Sequence, residues 1–119
     1  MTSLTRMTFF PDMLKEFFFP FLSTIIDSCH KHDVGFIKHS DGNLNPVLED
    51  LIELGLDAIH PIEPDAMNLA EVKKDYGNKV CISGNVDCAY ILPYGSEIEV
   101  RKEVRRCIDD AAEGGGYIL

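Results

Sequence analysis

Helical and extended patterns alternate without exception along this chain, and that alternation constrains its fold more than any single motif. The first segment carries Leu14, Phe17, Phe18, Phe21, Leu22, Ile25, Ile26 and Cys29, the i, i+3, i+4, i+7 ladder of a helix buried along one broad face. Pro20 falls inside the ladder and predicts a kink or the start of a second segment. The segment ends in His30-Lys31-His32, cations where a helix C-terminus favours them, a reading preferred here to a metal cluster. Residues 34–39 are short, apolar and β-prone, a first strand. Asn45, with Pro46 behind it, is expected to cap a helix whose Val47, Leu48, Leu51 and Ile52 face inward and which Gly55 ends. Residues 56–60 form a second strand. Asn68 and Glu71 predict a cap with its reciprocal carboxylate, on a helix striped by Leu69, Val72 and Tyr76 and ended by Gly77. Residues 79–83 make a third strand, and Ser96 with Glu99 predicts a capping box for the longest helix, striped by Val100, Val104, Cys107, Ile108 and Ala111. Gly114, Gly115 and Gly116 end that helix, and residues 117–119 open a fourth strand.

Four such α-β units in succession mean parallel strands joined by helical crossovers. The fold class is therefore α/β, in one domain over residues 1–119, with four parallel strands alternating with helices. The pattern fits an open doubly wound sheet and a barrel equally well. A complete (β/α)8 barrel needs about 250 residues, so the barrel reading makes this chain a half.

A net charge of −9 and a pI near 4.7 exclude a nucleic-acid or anionic-membrane partner, because phosphate binding needs a basic surface. Cys29, Cys81, Cys88 and Cys107 are widely spaced, with no CxxC pair, the pattern of reduced cytosolic thiols. The most apolar run, residues 17–26, is half the ~20 residues of a membrane span and contains Pro20. These features read as a soluble, cytoplasmic chain.

In parallel α/β proteins of either kind, ligands bind beyond the carboxyl ends of the strands. Those ends are rich in polar groups: His39 to Asn43 after strand one, His60 to Asp65 after strand two, Gly84 to Asp87 after strand three. Residues two apart in an extended segment point to one side, so His39 and Asp41 can converge on a metal or form an acid-oriented histidine. Read alone, Asp41-Gly42-Asn43 is first a turn. Glu63 and Asp65 read alone as solvated loop acids, and Asn85 and Asp87 serve equally as ligand contacts or as local turn and strand stops. His60 reads as a strand-end histidine with a local hydrogen bond, and the cysteines as packing. The glycine run at 114–116 lacks the lysine and hydroxyl partner of a P-loop.

Taken in order, His39-Ser-Asp-Gly-Asn43, Leu54-Gly-Leu-Asp57 leading to Pro61, Asp75-Tyr-Gly77, Gly84-Asn-Val-Asp87, Ile91-Leu-Pro-Tyr-Gly-Ser96 with Glu99-Val100, and Gly114-Gly-Gly-Tyr-Ile-Leu119 resemble the uroporphyrinogen decarboxylase superfamily. The resemblance runs from about Phe10 to the last residue and implies the C-terminal half of a (β/α)8 barrel. It implies one of two chemistries: cofactor-free decarboxylation of a porphyrinogen, or zinc-dependent methyl transfer involving a methyl donor, a corrinoid protein and a thiol. In the zinc-dependent members a His-x-Cys motif sits where this chain has His39-Ser40-Asp41. Asp41 replaces the thiolate, which argues against a soft zinc site that activates a thiol and leaves open a harder nitrogen and oxygen site for a divalent metal such as zinc; a true decarboxylase would need none. The resemblance makes His39 and Asp41 the expected catalytic and metal-binding pair, and Asn43, Glu63, Asn85 and Asp87 the expected substrate contacts. With Asp41, Glu63, Asp65 and Asp87 at the strand ends and no Arg or Lys among them, the rim repels a polyanion and leans toward metal-assisted methyl transfer. The alternative is a non-catalytic remnant, or a half-barrel subunit acting with an N-terminal half or a second copy. A half-barrel exposes sheet edges, so an inactive, self-associating chain is expected in isolation.

Overall fold

The computed structural model describes residues 10–119. Six helices, α1 (Pro11–Phe17), α2 (Phe19–His30), α3 (Leu48–Glu53), α4 (Leu69–Tyr76), α5 (Ile91–Tyr94) and α6 (Glu97–Ala111), alternate with β1 (Ile37–His39), β2 (Ala58–His60), β3 (Cys81–Ser83) and β4 (Tyr117–Ile118). All three pairings are parallel and the strands lie side by side in sequence order. Each expected strand is present but shorter than its apolar run.

Burial decides between the two architectures that the sequence left open. Pairing sets Lys38 opposite Ile59 and Ile59 beside Ile82, so these share one face of the sheet. Ile59 and Ile82 are fully buried there, in one cluster with Leu22 and Ile26 of α2, Leu48 and Leu51 of α3, Leu69 and Val72 of α4, and Cys107 and Ala111 of α6. Full burial of each isoleucine side chain stabilises by about 1.5–3 kcal/mol. The opposite face carries Ile37, His39, His60, Ser83 and Ile118, none of them buried; only small Ala58 is. Helices on one face of a sequentially ordered parallel sheet define a segment of a (β/α)8 barrel, in which the bare face is the lumen. A doubly wound sheet would bury both.

Local signals act largely as the sequence predicts. Ser96 and Glu99 form both halves of the capping box on α6, and the Asn68 side chain accepts the Glu71 N–H at the start of α4. The reciprocal bond from Glu71 is not formed. Asn45 does not cap α3: its own N–H is held by Asn43 Oδ1 at 3.0 Å, so the chain turns through Val47 before the helix opens at Leu48. The first helix breaks at Phe18, and Pro20 sits in the opening turn of α2, where a missing N–H costs nothing. Its broad apolar ladder is covered only in part. Phe19, Leu22 and Ile26 are buried, whereas Phe17 and Phe21 are 62% and 70% exposed. The Lys38 ammonium stands 6.0 Å above the Phe18 ring, which places this exposed flank beside β1.

At the amino end of the sheet, Asp57 joins three elements. It accepts from His30 Nε2 (2.8 Å) at the end of α2 and from Phe36 N–H (2.6 Å) ahead of β1. His32 Nδ1 bonds the Ser28 carbonyl near the end of α2, so only part of the cationic cluster serves the helix end.

The exposed lumen face, the exposed α1–α2 flank and the two strand edges unpaired among the described residues give the first expected outcome. Sedimentation across a concentration series will show species heavier than 13.3 kDa; a monomer with a sharp reversible unfolding transition contradicts it. A second concerns pH. The His30 hydrogen bond, then that of Phe36, holds the Asp57 carboxyl below its ordinary range. A depressed carboxyl contributes stability that is present above the unfolded value of 3.8 and lost as pH falls through the folded one. Urea unfolding will therefore find Asp57→Ala less stable than the unaltered chain near neutrality, with the gap closing as the solution is acidified.

Candidate functional site

The site follows from strand register. β1 and β2 end together, and their last residues, His39 and His60, are paired partners on the lumen face. Their Nδ1 atoms lie 2.8 Å apart, with ring centroids at 4.8 Å. Asp41, two residues beyond the strand, brings Oδ1 to 3.5 Å from His39 Nε2. The two loops are laced together beneath this group: Ser40 N–H donates to the His60 carbonyl (2.9 Å), and Gly42 N–H donates to Glu63 Oε2 (2.5 Å). Gly42 has φ +83°, a conformation open to glycine at little cost, which lets the amide turn toward Glu63.

His60 is the more sheltered ring. Burial, then the neighbouring His39, pushes its pKa below the ordinary histidine value, against the opposing pull of Asp41. Burial likewise lowers Lys38, which lies on the helix side and donates its ammonium to the His39 carbonyl.

The third strand end is built differently. Gly84 has φ +117°, and a Cβ there would collide with the Pro61 carbonyl, so β2 and β3 close on each other directly after the strands. Asn85 is 3% exposed; its Nδ2 donates to the Ile62 carbonyl (2.6 Å) and its Oδ1 accepts from Arg106 (2.9 Å). Ile62 is itself buried at φ +56°, a costly conformation for a β-branched residue. The bond from Asn85 and the packing of its side chain hold it there. Asp87 accepts from the N–H groups of Ala89 (2.7 Å) and Tyr90 (2.9 Å), and so acts as a local turn.

Of the residues expected from sequence, the structure gathers His39 and Asp41, sets Glu63 in the loop behind them, and engages Asn43, Asn85 and Asp87 with the chain itself. Asn85 takes its partners from the β2–α4 loop and α6, a bracing position. His60, read from sequence as a local strand-end histidine, joins the centre. The available signal was that two successive strands each end in histidine.

A cation reaches the strand ends from outside them. Arg106 reaches from α6 to the end of β3, although Glu103 (2.6 Å) and Asp110 (2.9 Å) neutralise it. Glu103 first of all raises the Arg106 pKa, and Arg106 in turn pulls Glu103 down. This network lines a cavity of about 600 Å³ between the start of α4, the loop after β3 and α6 that also includes Asp65, Asn68 and Asp87 but neither histidine.

For metal binding the donor set is insufficient. Zinc takes four donors, or three and a water, around one point, and among the described residues no three His, Cys, Asp or Glu side chains converge in that way. The facing His39 and His60 nitrogens are hydrogen-bonded to each other, so the described residues do not by themselves complete a site for a divalent metal.

A sequentially ordered parallel sheet with helices on one face and ionisable groups at its carboxyl ends defines the class: part of a barrel of the (β/α)8 type. The sequence matches the uroporphyrinogen decarboxylase family over residues 5–119, and the chain belongs to that family. The uroporphyrinogen decarboxylase of Mannheimia succiniciproducens is 30% identical over 109 residues, which cover 83% of this chain and 30% of that protein. That of Actinobacillus succinogenes is 31% identical over 95 residues (71% and 26%), and that of Alcanivorax borkumensis 29% over 115 residues (88% and 30%). The chain thus spans about 30% of the length of these relatives. No solved structure matches it. Among the described residues no helix is long and apolar enough to cross a membrane.

The bracing reading of Asn85 is checked by Asn85→Ala. Loss of a buried partner for the Ile62 carbonyl and Arg106 will lower the unfolding free energy by about 1–3 kcal/mol in chemical denaturation; an unchanged midpoint contradicts it.

Proposed function

We propose that this chain supplies the strand-end rim of a decarboxylase-family barrel, where His39, His60 and Asp41 move a proton on a small-molecule substrate. Decarboxylation of a porphyrinogen is the first reaction to test. The observation that carries this reading is the serial contact of Asp41 with His39 and of His39 with His60 at the carboxyl ends of two adjacent strands, the end where barrels of this type react. The names of the relatives supply the substrate. Histidine and a carboxylate suffice for proton exchange near neutral pH without a cofactor, and replacing carbon dioxide by a proton is a proton-transfer problem at one carbon.

The acidic rim favours a second reading. Asp41 and Glu63 stand in the loops after β1 and β2, and Asp65 and Asp87 share a cavity with an Arg106 already paired to two carboxylates, a field that suits a cationic substrate or metal better than a polyanion. Methyl transfer from a methylated donor, with a corrinoid protein as partner and a divalent metal completed by donors outside this chain, is that alternative. Under either reading, partner residues close the barrel: an N-terminal half or a second copy. A non-catalytic half-barrel subunit is the outcome if neither activity is found.

The test is an assay of the purified chain, alone and mixed with an N-terminal barrel half from a family relative. Carbon dioxide release from uroporphyrinogen is expected in the mixture and not with the chain alone, and His39→Ala should lower it by about a hundredfold or more, the about 10²–10⁴-fold range of general acid–base catalysis. Zinc-dependent methyl transfer to a thiol in its place would establish the second reading, and inactivity in both assays the non-catalytic one.

A further inference from the structure

The contact between His39 and His60 has a direction. At 2.8 Å between two Nδ1 atoms, one must donate and the other accept, since two lone pairs or two N–H groups facing at that distance repel. Asp41 decides which. Its Oδ1 lies 3.5 Å from His39 Nε2, long for a strong hydrogen bond but close enough for the carboxylate charge to act on the ring. A protonated Nε2 turns the positive end of its N–H to that charge; a bare Nε2 would turn a lone pair to it. His39 therefore carries its proton on Nε2 and accepts at Nδ1. His60 must then donate from Nδ1, and as a neutral ring it keeps Nε2 bare.

We propose that Asp41, His39 and His60 form an ordered relay whose open proton acceptor is Nε2 of His60, with His39 and Asp41 as positioning residues that fix its tautomer. This rests on the reading of the rim as a proton-transfer site and adds to it a residue and an atom. Both rings hang from paired positions of adjacent strands, a more rigid mounting than a loop offers. His60 is half-buried, while His39 and Asp41 stand more exposed behind it. The depressed His60 pKa agrees with a neutral ring. A fixed bare nitrogen can take a proton from a substrate or water and return it, while the carboxylate behind steadies the imidazolium formed in between.

Nitrogen-15 NMR of the histidine-labelled chain reads each ring's tautomer directly, at a pH above the ordinary histidine value of about 6.5. The expected pattern is His39 protonated at Nε2 and His60 protonated at Nδ1, the minor form of free neutral imidazole. In His39→Phe the His60 ring will shift to mainly Nε2–H, and in Asp41→Ala the His39 preference will relax toward a mixture. A His60 that is mainly Nε2–H in the unaltered chain, a bare Nε2 on His39, or a His60 tautomer indifferent to both substitutions overturns the relay. The readout needs no turnover. A chain with this pattern but no activity keeps the relay and loses the proposed reaction; an active chain without it loses the relay alone.

Discussion

Register between β1 and β2 is the constraint on which the rest depends. Parallel pairing of Ile37 with Ala58, Lys38 with Ile59 and His39 with His60 settles at once which side chains enter the helix-side core and which face the lumen. A slip of one residue would send Ile59 out of the core and turn one histidine away from the other, because side chains alternate along a strand. Burial of Ile59 among the helices therefore holds the imidazole pair in place, although neither ring belongs to the core.

The two ends of the sheet are stabilised by different means. At the amino end, Asp57 gathers α2, β1 and β2 through exposed hydrogen bonds to His30 and Phe36. At the carboxyl end the loops close on each other through buried or backbone-directed contacts: Asn85 to the Ile62 carbonyl, Gly42 N–H to Glu63, the Tyr117 hydroxyl to the Gly84 carbonyl, and Gly84 against Pro61. Those contacts consume most of the polar groups that the strand ends present. The residues left open to chemistry are few, and they cluster on β1 and β2.

The chain belongs to a family of barrel enzymes and spans about 30% of its relatives' length. Its open lumen face agrees with that share. Ile37 and Ile118, exposed on that face, occupy positions that a closed barrel fills with layered side chains. Phe17 and Phe21 leave an apolar flank exposed near β1.

The sequence by itself determined the succession of elements, their parallel sense, the caps at Ser96 and Asn68, and the polar character of the strand ends, because periodicity and capping are properties of a few consecutive residues. It also singled out His39 and Asp41, which lie two apart in the chain. What it left undecided depends on partners distant in sequence. The choice of barrel over doubly wound sheet, the pairing of His39 with His60 across 21 positions, the approach of Arg106 to Asn85, and the exposure of half the first apolar ladder were decided by tertiary structure. Strand order and register set which groups meet, and burial against the helices, summed over many side chains, sets the register.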